Sequence, residues 1–142
     1  MKKIKLIAVV FSFFTMVACS AQKSEMKNIE STINQFVKAG DNSDAKKLAT
    51  YLDDNFRVVM NRLFGSDQVA TMEKSVYLEK IRSKEFGGDN RTVEIENILI
   101  NGSTASAKVN LKGSKMTFIS LLTLVQGADG NWKIIADTPM VG

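Results

Sequence analysis

Chemistry in this chain would have to be done by carboxylates, tyrosines or lysines. The 142 residues include no His and one Cys. That excludes Ser-His-Asp and Cys-His catalysis, His-ligated zinc or haem, and any imidazole titrating near neutral pH. A single Cys also excludes an internal disulfide, a CxxC redox pair and a thiolate zinc site. What remains is a buried Asp whose pKa burial has raised, or a Tyr donating to a developing oxyanion. Tyr51, Tyr77 and Asp137 are the candidates. The two tyrosines read first as core residues with a surface hydroxyl. Asp137 alternates with Ile135 and Lys133, whereas Trp132, Ile134 and Ala136 share the opposite face. Alternation leaves its direction open, and a solvated strand-end aspartate is the expected reading. Arg57 could hold an anion bidentately, yet an Arg on a strand usually faces solvent.

Other apparent motifs carry little. Asp41-Asn42-Ser43-Asp44 hints at a calcium loop, but Ala45 and Lys46 follow where Gly is needed and Leu52 stands in the place of Glu. Gly87-Gly88 is too short to cradle a phosphate, and neither a metal nor a cofactor is expected. Asp53-Asp54 reads as a helix-end and strand-entry signal. Asn90-Arg91-Thr92 and Asn101-Gly102-Ser103 match the glycosylation sequon and are set aside.

The N-terminus reads as an address. Lys2, Lys3 and Lys5 precede a nearly apolar run from Leu6 to Ala18, too short to span a bilayer. The run ends Met16-Val17-Ala18-Cys19, which resembles a bacterial lipobox. The expected organisation is a leader over 1–18, a lipid-anchored tether over 19–23 and one domain over 24–142. Ser20 after Cys19 points to the outer membrane, periplasmic side. Three acyl chains on Cys19 would hold firmly where one would not. The leader holds three lysines and no acid, so 16 basic residues remain against 15 acidic ones. No basic face is left to argue for nucleic acid.

The elements that must position these residues follow from periodicity. Met26, Ile29, Ile33, Phe36 and Val37 fall at helical spacing over 24–40, with Ser24 as cap and Gly40 as stop. A short second helix is expected to about Leu52. From Phe56 the period is two, with a turn at Gly65-Ser66-Asp67 into a partner strand near 68–72. A third helix is expected over 75–85. The last fifty residues read as a meander of four strands. Asn101-Gly102 and Asp129-Gly130 predict type I′ hairpin turns. The strand from Met116 is apolar on both faces: Met116, Phe118, Leu122 and Leu124 on one, Ile119, Leu121 and Val125 on the other. Such a strand needs cover on both sides, from loops and the N-terminal segment or from a second copy.

This order of elements resembles the nuclear transport factor 2-like superfamily, and most closely its putative lumazine-binding branch. The residues carrying it are Asp53-Asp54-Asn55-Phe56, Ser103 to Val109, and Asp129 to Ile135, within a match over about 24–139. The resemblance implies an α+β fold in which a curved antiparallel sheet wraps three helices into a cone with an open-ended pocket. It also implies dimers through the outer sheet face, and an Asp on a late strand in the superfamily's cyclases. On that footing Tyr51, Arg57, Tyr77, Phe118 and Leu122 are expected to line the pocket, and Asp137 with Tyr51 or Tyr77 forms the candidate acid–base set. The leading expectation is non-catalytic binding of a small apolar or amphipathic molecule. A homodimeric interaction module and a carboxylate-dependent isomerase or cyclase are the alternatives.

Overall fold

The computed structural model describes residues 4–142, with side chains from Ser20 onward. The side chains of the leader and of Cys19, the predicted lipidation site, lie outside that description. Ten elements follow in order: α1 (Ile4–Asp41), α2 (Ala45–Thr50), β1 (Leu52–Asn61), a 3-10 turn (Leu63–Gly65), β2 (Val69–Glu73), α3 (Lys74–Arg82), β3 (Thr92–Asn101), β4 (Thr104–Lys112), β5 (Thr117–Gln126) and β6 (Trp132–Val141).

Helix α1 passes through Ser24 instead of starting there, because neither Gly nor Pro interrupts residues 4–39. Nor does it stop at Gly40. Ser43 takes the left-handed conformation (φ 55°), its N–H bonding to the Gly40 carbonyl at 3.0 Å, while the Asp44 N–H bonds to Ala39 at 2.9 Å. That paired arrangement is a Schellman stop with a serine in glycine's usual place. Asp44 then caps α2 by accepting from the Lys47 N–H at 2.9 Å. The supposed calcium-loop aspartates are thus accounted for: Asp44 is a cap, and Asp41 accepts from Arg91.

The six strands form one curved sheet in the order β2-β1-β6-β5-β4-β3. The strands were expected to pair antiparallel throughout, but β1 and β6 run parallel, so the sheet is mixed. The sheet can close this way because the whole β2–β5 segment serves as the crossover between them. The concave face packs on α1–α3 through a core that includes Ile29, Ile33, Phe36, Leu48, Phe56, Leu124, Trp132 and Ile134.

Both predicted hairpins form, with different turns. Residue 101 pairs with 104, so Gly102 and Ser103 are the central pair. Only Gly102 has positive φ (59°), the pattern of a type II′ turn. At the second hairpin the Gly127 N–H bonds to Asn131, Gly130 N–H bonds to Gly127, and Gly130 alone is left-handed. That is a three-residue loop closed by a left-handed glycine. Near it, Glu25 of α1 accepts from the Trp132 indole at 2.6 Å and from the Gln126 amide at 3.1 Å, tying the helix to the β5–β6 hairpin.

At the opposite end of the cone, Gly87 has φ 81°, and a Cβ there would collide with the Gly40 carbonyl oxygen. Gly87 therefore serves a close backbone approach between the loop before β3 and the end of α1.

Candidate ligand pocket

The decisive local feature is a bulge in β6. Thr123 pairs with Ala136 and Leu124 with Ile134, leaving Ile135 as an extra residue. One extra residue reverses the inside–outside phase of everything after it. Trp132 and Ile134 point into the core, and so does Asp137, which is only 8% exposed. The expected solvated strand-end aspartate is in fact a buried one.

Asp137 lies at the base of a cavity of about 380 Å³ at the end of the cone away from Glu25. The volume is within the usual range for small-molecule sites, about 300–1,000 Å³. Its walls are Val58 and Met60 of β1, Met72 of β2, Tyr77 and Ile81 of α3, Phe86, Leu111 of β4, and Phe118 of β5. Tyr77 is held by Phe56 at 5.3 Å and Phe86 at 6.2 Å between ring centroids. Phe118 meets Phe64 edge-on at 6.3 Å across the mouth. Phe64 is 68% exposed and, like Arg62, left-handed (φ 55° and 53°), an unusual backbone for bulky side chains.

The electrostatics converge on Asp137. Its Oδ1 has no hydrogen-bond partner. Burial pushes the carboxyl up to about 6, against the opposing pull of the Ser120 hydroxyl beside it and of Arg91. Burial, and then the nearby Asp137 charge, push the Tyr77 phenol well above its ordinary value, so it stays protonated and able to donate. Arg91 is fixed from behind: its Nε donates to Asp41 Oδ1 at 2.6 Å and its backbone N–H to Asp41 Oδ2 at 2.9 Å. Arg91 and Asp89 also line a second, polar groove of about 500 Å³ beside the end of α1. Among the described residues there is no cluster of three His, Cys, Asp or Glu side chains able to hold a metal.

Of the residues singled out from the sequence, Tyr77, Phe118 and Asp137 come together around this cavity. Tyr51, Arg57 and Leu122 do not line it. Tyr51 ends α2 and gives its carbonyl to the Ile134 N–H at 2.9 Å, toward the Glu25 end of the cone. Arg57 is exposed, since Phe56 and Val58 take the inward positions of β1. Leu122 faces inward but is wholly packed in the core, 1% exposed. Sequence reasoning missed Arg91, Ser120, Met60, Met72 and Phe64. Arg91 is fifty positions from its partner Asp41, and no local pattern announces such a pair.

Comparison with known proteins agrees with this architecture. The model of the putative lumazine-binding family matches residues 24–138. The chain belongs to this family. Solved structures share its fold. An NTF2-like protein of unknown function from Silicibacter pomeroyi has a TM-score of 0.74 at 14% identity, covering 85% of this chain and 98% of that one. An NTF2-like protein from Cytophaga hutchinsonii has 0.63 at 23% identity, covering 80% and 95%. A ketosteroid isomerase-like protein from Erwinia carotovora has 0.65 at 16%, covering 82% and 95%. At these identities the likeness is one of fold. No curated protein matches the chain. Within the putative lumazine-binding domain, the matched residues contain the bulge, Asp137, Tyr77 and Phe118.

Proposed function

We propose that this member of the putative lumazine-binding family binds a small, mainly apolar molecule in the cavity above Asp137. The observation that carries the reading is an open apolar cavity with a single unpaired acceptor at its base. Buried polar groups are nearly always paired, so an orphaned oxygen on a carboxylate that lines a cavity points to a missing partner. The family's description agrees with a small-molecule occupant. Phe118 lines the cavity, so Phe118→Arg places a charge on its apolar wall. Native mass spectrometry of the full chain is expected to show a retained small mass in the wild type, absent from a folded Phe118→Arg variant. Retention of the same mass by that variant would reject the cavity as its site.

A second reading has its own support. Asp137 beside a protonated Tyr77 is a base next to a hydrogen-bond donor, the pair an isomerase or cyclase would need. The carboxylate would take a proton from the bound molecule, and the phenol would stabilise the oxyanion that results. The two readings part on whether the retained molecule is released changed.

The location proposed for the chain is the envelope, held through acylated Cys19 on the periplasmic side of the outer membrane. The support is the leader and the lipobox-like residues before Cys19. Among the described residues no helix is long and apolar enough to cross a membrane. A homodimer through the outer sheet face is proposed with it. Ile119, Leu121 and Met140 lie on that face, and Leu121 and Met140 are 56% and 59% exposed. Ile119→Glu is expected to convert a dimer to monomers in sedimentation velocity; an undisturbed dimer would remove this face from consideration.

A further inference from the structure

The charged groups around the cavity are not equally available. Glu85 pairs with Lys80, Asp89 accepts from Ser114 and Asn90, and Arg91 is locked to Asp41. Tyr77 faces Asp137 from α3 as a donor, and the β1 residues on the wall, Val58 and Met60, cannot titrate. Lys115 stands at the rim, on the β4–β5 turn. In the depth there is one acceptor without a donor, Oδ1 of Asp137, more than nine-tenths buried.

We infer that the ligand enters with a hydrogen-bond donor leading, an amine or hydroxyl on an apolar body, and that Asp137 selects it over a hydrocarbon or ketone of the same shape. This rests on the cavity being the ligand site. An unpaired buried acceptor gains most from a donor, since a ligand without one leaves the acceptor's desolvation uncompensated. A ketone would set a lone pair against the carboxylate. A carboxylic acid would add a second negative charge beside it.

The test is a set of probes with one phenylbutyl body: butylbenzene, phenylbutanol, phenylbutylamine and phenylbutanone. Their affinities for the full chain are compared by calorimetry near pH 7.5. The alcohol and the amine are expected to bind about tenfold or more tighter than butylbenzene and the ketone, a gap of about 1.4 kcal/mol. Amine above alcohol assigns a cationic ligand; alcohol at or above amine assigns a neutral one. In Asp137→Leu, which leaves no side-chain acceptor at that position, the donor advantage is expected to vanish. The wild type offers the same reading without mutation. Between about pH 7.5 and 5 the alcohol is expected to weaken about tenfold, as Asp137 takes up its proton, while butylbenzene is unmoved. Equal binding of all four, or a donor preference that survives Asp137→Leu, overturns the inference and leaves the cavity as the ligand site. Failure of every probe, butylbenzene included, overturns the inference together with the reading beneath it.

Discussion

Asp137→Asn is expected to stabilise the ligand-free chain at neutral pH relative to its effect in acid. The folded protein lifts this carboxyl from an ordinary 3.8 to about 6, chiefly by burial. A raised acid holds its proton more tightly when folded than unfolded. Its contribution to stability is therefore greatest below about pH 4, falls as the pH rises through 4 to 6, and is level above that. The span corresponds to about 3 kcal/mol, a large share of a small domain's 5–15 kcal/mol. Urea unfolding at several pH values checks this. The stability of Asp137→Asn minus that of wild type should climb by about 3 kcal/mol between pH 4 and 6.5, then stay flat. A difference independent of pH would mean the carboxyl is hydrated in the folded chain. A charge kept at such a cost at the base of a cavity fits a site maintained for what it binds.

Arg91→Leu should act in the opposite direction and more harshly. Arg91 and Asp41 are mostly buried, their side chains 18% and 10% exposed, and Arg91 donates to both oxygens of the carboxylate. The backbone N–H bond survives the substitution, but the Asp41 charge loses its cation. Removing one member of such a pair typically costs about 3–5 kcal/mol, mostly from the stranded charge. The double variant Asp41→Asn/Arg91→Leu is expected to recover a good part of that, because no charge is left behind. Equal losses in single and double variants would show that Arg91 matters by packing alone. Arg91 also pulls the Asp137 carboxyl down, so its loss should raise that titration further. A carbon-13 NMR titration of the Asp137 side chain reads this directly, and an unmoved midpoint would uncouple the two residues.

Much of the architecture is legible in the sequence. The period-two pattern of Ala105, Ala107, Val109 and Leu111 became the buried face of β4, and the helical spacing of Ile29, Ile33, Phe36 and Val37 became the buried face of α1. These signals are read within a few residues, and burial of one face enforces them. Turn chemistry was legible in place but not in type. The glycines at 102 and 130 marked both hairpins, while the register of the flanking strands chose the turns. Asp44 as a cap and Asp41 as a partner of Arg91 were hidden inside an apparent calcium loop.

The sequence by itself determined the class of the fold, the order of its elements, and the absence of imidazole and disulfide chemistry. Tertiary structure alone decided which way Asp137 points. Strict alternation from Trp132 sends it to the same side as Lys133, and the extra residue at Ile135 sends it to the cavity. A bulge depends on how two neighbouring ladders hold one strand, here β5 antiparallel and β1 parallel, and the strand's own residues do not encode it. The same holds for Arg91 with Asp41 and for Glu25 with Trp132, which meet only after the sheet has curled around the helices. Local periodicity fixes which face of an element is apolar; the charge at the base of the cavity is set by where distant strands place a single residue.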